Sequence, residues 1–134
     1  MAGITLDQAQ AIVAAAQRKA EEIDVPMNVA VVDAGNNLTA FVRQDGAWLG
    51  SIDVAQNKAF TARAFDSATG DLYSETQPGG SLYGIDASNH GKIITFPGGI
   101  PLKSGDEVVG AIGVSGGTVD QDQTVAEAGA AAYA

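Results

Sequence analysis

The chain predicts a mixed α/β (α+β) domain in which helices pack on a mainly antiparallel sheet, and three observations carry that prediction. Helical periodicity opens and closes the chain behind two capping boxes, Thr5-x-x-Gln8 and Thr118-x-x-Gln121. A valine-rich run, a turn and an alternating run over 27–43 make a hairpin. Val108–Ser115 is apolar without alternation, which reads as a strand buried on both faces.

Taken in order, the first helix runs from about 5 to 24. Leu6, Ala9, Val13, Ala16 and Ala20 recur at helical spacing, and Pro26 stops the run. Met27–Asp33 and Leu38–Arg43 are strands joined by the turn chemistry of Ala34-Gly-Asn-Asn37. Ile52, Ala55, Ala59, Ala62 and Phe65 place a second helix over 51–65. Residues 66–90 hold five Gly or Pro among short apolar pieces, which predicts a short helix and a long loop. Short strands are expected at Lys92–Phe96 and Ile100–Lys103, ahead of the buried strand. The last helix turns Val125, Ala128, Gly129, Ala132 and Tyr133 inward.

Composition narrows the function classes. At 134 residues the chain fits one domain, placed at 4–134, and its core needs no disulfide or metal to fold. With no cysteine, thiol catalysis, iron–sulfur clusters and cysteine-based zinc sites are excluded. Seven Lys+Arg against 16 Asp+Glu leave a net charge of −9, which repels nucleic acid and anionic membrane surfaces. No window reaches the roughly 18 apolar residues of a membrane span, and Met1-Ala-Gly-Ile-Thr lacks the marks of a signal peptide, so the expected location is cytoplasmic. The 24 alanines and 17 glycines allow helices to approach closely and suit a homo-oligomer.

Several motifs are tested and set aside. Gly110, Gly113 and Gly116 do not space as a dinucleotide loop, and no Gly-Lys-Ser/Thr follows. Asp120 and Asp122 at the start of the last helix disfavour a phosphate there; they do not meet calcium-loop spacing, and helix capping accounts for both. His90 is the only histidine, set in the turn-like Ser88-Asn-His-Gly91, and reads as an exposed turn residue or as a ligand to a flat cofactor. Lys58 stands beside the small-residue stripe of the second helix, where it either snorkels or points into a pocket. Asp33 ends a strand as a turn former or as a carboxylate at a pocket rim. Trp48 and Tyr83 lie in loops where an aromatic face covers a ligand or a neighbouring subunit.

Together the runs Val31-Val-Asp-Ala-Gly, Asp45-Gly-Ala-Trp-Leu-Gly-Ser-Ile-Asp, Lys58-Ala-Phe-Thr-Ala, Phe96-Pro-Gly-Gly-Ile-Pro-Leu and Gly110-Ala-Ile-Gly-Val-Ser-Gly resemble the GlcG/HbpS-like haem-binding or haem-degrading proteins. That group includes the C-terminal domain of PduO-type corrinoid adenosyltransferases. The resemblance implies a profilin-like domain with a five-stranded antiparallel sheet, assembly into dimers or larger oligomers, and haem binding by some members, without a common reaction. In the propanediol-linked relatives it implies a histidine ligand in or near the first helix. This chain has none there, which leaves His90, Lys58, Met27 or a tyrosine.

The resulting expectation is a haem-type small-molecule-binding protein accessory to a catabolic or stress-response pathway. Its pocket is expected to form from Lys58, Tyr83, His90 and the turn Phe96, Pro97, Gly98, Gly99. Haem is the expected cofactor, and no metal site is assigned beyond a haem iron on His90. Two alternatives stand beside it. One is a catabolic enzyme using Lys58 as acid, base or amine nucleophile with Asp33 as its partner; the other is a structural oligomeric subunit. Lys58→Met is expected to keep the fold while ligand binding or turnover falls.

Overall fold

The first helix, α1 (Leu6–Glu22), begins where the sequence places it. Thr5 Oγ1 accepts from Gln8 N, and the Gln8 side chain accepts in return from Thr5 N. In the computed structural model, which describes residues 3–133, α1 is followed by β1 (Asn28–Asp33), β2 (Leu38–Arg43), α2 (Gly50–Phe65), β3 (Gly99–Ser104), β4 (Glu107–Ser115) and α3 (Val119–Ala131). Ala134, the last residue of the expected domain, lies outside the described residues. Four short 3-10 turns occupy the stretch between α2 and β3 where one short helix was expected.

The sheet is antiparallel throughout, in the order β2-β1-β4-β3, so the two most apolar strands are central. In β1, Val29 and Val31 face α1 and α3 together with Ile112 and Val114, whereas Ala30, Val32 and Ala111 face the Ala55, Ala59, Ala62 stripe of α2. The period of two along each strand thus divides large side chains from small ones, and α2 comes closest to the sheet. At Gly113 a Cβ would run into the Ala55 carbonyl and the Ala59 nitrogen, so only glycine admits this approach. Pro101 lies in β3, an edge strand, where a missing N–H is tolerated.

Two expectations are corrected. The sheet has four strands among the described residues, not five, because Lys92–Phe96 forms no strand. Its backbone is met by a helix instead of a neighbouring strand: Thr61 Oγ1 on α2 accepts from Ile94 N and shares its one proton between Asn57 O at 2.8 Å and Lys92 O at 3.2 Å. The buried face of α3 is also rotated from the one expected. Asp122, Val125, Ala126 and Gly129 are buried, whereas Ala132 is exposed. Among the described residues no helix is long and apolar enough to cross a membrane.

Candidate functional site

A buried lysine organises the end of the molecule where α2, α3 and the Phe96–Gly99 turn meet. Lys58 is completely buried; it neither snorkels to the surface nor points into an open pocket. Its Nζ donates to Val114 O at 2.8 Å and to Asp122 Oδ2 at 2.8 Å, and lies 5.1 Å from the centroid of the Phe96 ring. Asp122 is buried as well, and its Oδ1 accepts from Gly117 N. Because α2 and α3 pack on opposite faces of the sheet, this ion pair ties the two outer layers together past the end of β4. Burial pulls the Lys58 amine below its ordinary pKa, against the pull of Asp122. Burial likewise pushes the Asp122 carboxyl up, against Lys58 and the N–H groups of Gly117 and Gly116. Both directions narrow the gap between the ion pair and its neutral, proton-transferred form.

The turn in front of the amine is held from three elements. Thr69 Oγ1 donates to Phe96 O at 2.7 Å and accepts from Gly99 N at 2.9 Å. Gln123 Oε1 on α3 accepts from Gly98 N, and Gly98 O accepts from Val114 N of β4. Gly98 has φ +129°, and a Cβ there would stand 2.5 Å from Lys58 Nζ, so glycine is required twice over. The outer side of this turn opens on an apolar cavity of about 540 Å³ lined by Gly70, Tyr73, Phe96, Pro97 and Val119, a volume suited to a small organic ligand. A second cavity, about 580 Å³, is lined by Gln17, Glu21, Asp24, Arg43, Gln44 and Asp45 among others. Ala20, Val25 and Pro26 also line it, but polar and charged side chains dominate its wall, so the apolar cavity beside the Phe96–Gly99 turn is the candidate site.

Of the residues singled out from the sequence, the fold brings together Lys58, Phe96, Pro97, Gly98 and Gly99. Tyr83 is 67% exposed, and His90 is exposed at φ 59° within the last 3-10 turn; neither lines the cavity. Met27 is completely buried, and Trp48 is exposed. Asp33 is committed to its own turn, where Oδ1 accepts from Gly35 N and Asn37 N. The carboxylate that meets Lys58 is therefore Asp122, not Asp33. Among the described residues no group of three His, Cys, Asp or Glu is placed to hold a metal ion.

Sequence reasoning missed Thr69, Tyr73, Asp122 and Gln123. For Asp122 a signal existed. It precedes Val125 by three residues and Gly129 by seven, on the inward stripe of α3, and Thr118 with Gln121 already caps that helix. A carboxylate that capping does not need, on a buried stripe, calls for a buried cation, and Lys58 is the cation on the corresponding stripe of α2. Thr69 and Tyr73 carry no such periodic signal.

A model of the family described as haem-degrading protein HbpS-like matches residues 4–131. The chain is 43% identical over 127 residues to an uncharacterized 15.0 kDa protein from the dhaT-dhaS intergenic region of Citrobacter freundii, covering 95% of this chain and 89% of that one. It is 42% identical over 118 residues to the corrinoid adenosyltransferase PduO of the same organism, which covers 88% of this chain but only 35% of that protein. The crystal structure of a PduOC:heme complex matches with a TM-score of 0.94 at 36% identity, covering 97% of this chain and 94% of that one.

Proposed function

Because this chain belongs to the HbpS-like family of haem-degrading proteins, we propose that residues 4–134 act as one ligand-binding domain whose ligand is haem or a similar flat, largely apolar molecule. The observation that carries this reading is the cavity itself. Phe96 and Pro97 present apolar surface on a turn pinned by Thr69 and Gln123, and Gly70, Tyr73 and Val119 complete the lining. Such a wall offers a ring system dispersion and stacking contacts without reorganising first. The haem complex of the PduOC relative supports the choice of ligand. When bound, haem would supply the iron and its redox chemistry; the chain's own residues bind the ring and exclude water from one face of it.

The catabolic-enzyme alternative loses its main support, since both groups it names are committed elsewhere: Lys58 is enclosed by Val114, Asp122 and Phe96, and Asp33 is bound within its turn. The domain acts as a homo-oligomer in this reading, because Trp48 and Leu49 stand adjacent and 64% and 71% exposed at the head of α2. Light scattering after size exclusion is expected to give at least a dimer mass.

Titration with haemin tests the ligand. The expected result is a saturable Soret band distinct from that of free haemin, lost in Val119→Lys, which places a charge in the cavity wall at a residue that is 41% exposed. A spectrum identical to free haemin, or an unchanged titration in Val119→Lys, would overturn the proposal.

A further inference from the structure

We infer that two copies of this chain pair through the open edge of β2, joining their sheets antiparallel across a two-fold axis beside Val42, an inference that rests on the homo-oligomer reading above. The two edges of the sheet are not alike. β3 carries Pro101 and Lys103, a missing donor and a charge that discourage a further strand. β2, Leu-Thr-Ala-Phe-Val-Arg, has no proline, and its one charge stands at its last residue.

The ladder shows which groups that edge offers. Gln44 N donates to Met27 O, and β1 pairs Val29 with Val42 and Val31 with Ala40, so Gln44, Val42 and Ala40 turn their backbone groups toward β1. Phe41 and Arg43 lie between them and turn theirs outward, where no strand meets them among the described residues. The irregularity in this pairing falls between Val31 and Val32, which leaves the stretch from Ala40 to Arg43 in regular register.

The same strand of a second copy is the occupant that fits. Self-pairing with Val42 opposite Val42 matches Phe41 with Arg43 in both directions, each pair exchanging both N–H···O bonds. Each Arg43 then faces an aromatic ring and not the other Arg43. Beside this seam, a groove of about 310 Å³ is lined by Leu6, Gln10, Val13 and Gln17 of α1 and by residues 39–42 of β2, without a charged side chain. In a chain of net charge −9, an uncharged face is where a like-charged copy meets least repulsion. Exposed Leu6 and Leu38 add apolar area there. At the Arg43 end, Nε donates to Ala47 O and holds the loop of exposed Trp48 and Leu49 to the same strand.

The test uses the whole chain, in which the absence of cysteine makes a single introduced thiol diagnostic. Light scattering is expected to give at least a dimer mass. In hydrogen exchange, the Phe41 and Arg43 amides are expected to slow by about tenfold or more from dilute to concentrated protein, while Ala40 and Val42 stay protected in both. Val42→Cys is expected to form a disulfide-linked dimer on mild oxidation, because a non-hydrogen-bonded pair brings its Cα atoms within about 4.5 Å. Lys103→Cys, on the other edge, is expected to stay uncrosslinked. An oligomer whose Phe41 and Arg43 amides exchange alike at both concentrations, or a folded Val42→Cys that crosslinks no faster than Lys103→Cys, would overturn the β2 seam and leave the homo-oligomer reading standing. A monomer at every concentration would overturn that reading itself. The wild-type exchange pattern decides the matter even if the variant fails to fold.

Discussion

The Phe96 ring separates two regions with opposite character. Behind it, Lys58 and Asp122 form a buried charged centre in which both charges are paired: the amine has a carbonyl, a carboxylate and an aromatic ring, and the carboxylate has the amine and the Gly117 N–H. In front of it, the cavity wall is apolar, and its one side-chain hydroxyl belongs to the half-exposed Tyr73. Charge drew attention to the first region, but satisfied charge does structural duty. A buried group whose partners are all supplied internally has little left to offer a ligand, whereas the apolar wall in front has no internal partner to displace.

The largest expected effect breaks the buried centre. Lys58→Met leaves the Asp122 carboxylate desolvated and unpaired, so stability is expected to fall by about 3–5 kcal/mol, read from denaturant unfolding. This replaces the expectation that the variant would keep its fold and lose only binding. The double variant Lys58→Met, Asp122→Leu removes both charges and is expected to recover most of the loss; a Lys58→Met protein that unfolds like wild type would show that the pair is not a structural tie.

An intermediate effect is expected at the support between the two regions. Thr69→Val deletes the hydroxyl that bridges Phe96 O and Gly99 N, leaving both backbone groups without that partner at a cost of about 1–3 kcal/mol. Haemin affinity should weaken with it, because the wall that carries Phe96 loses its anchor. Equal affinity in the folded variant would mean that the turn holds its shape without Thr69.

The smallest expected stability change sharpens the comparison. Tyr73→Phe removes a half-exposed hydroxyl, so stability should stay within about 0.5 kcal/mol of wild type. A loss larger than that would place the hydroxyl among the structural groups behind Phe96.

Much of the architecture was legible because it rests on local rules. The capping boxes at Thr5 and Thr118, the Asp33 turn and the apolar run of β4 each announce themselves within a few residues, and each stands where local chemistry puts it. The missing fifth strand shows the limit. Lys92–Phe96 has strand-like residues, but strand pairing needs a neighbour, and here Thr61 from α2 takes the backbone groups instead. The candidate site was legible in one half only: the Phe96–Gly99 turn and Lys58 were found, while Tyr73, Thr69 and Gln123 sit in segments with no diagnostic spacing.

By itself the sequence determined the helices, the hairpin, the central strand and the small-residue faces that let α2 lie close to the sheet, since periodicity and turn chemistry act over a few residues. Only the tertiary structure decided which charges meet and which groups remain free. Lys58 and Asp122 are 64 residues apart in the chain, and whether Asp33 or Asp122 reaches the amine depends on how two helices pack on opposite faces of one sheet. Pairing spends the buried charges inside the fold and leaves Tyr73 open at the surface, because burial, more than residue type, sets which polar group must find its partner within the chain.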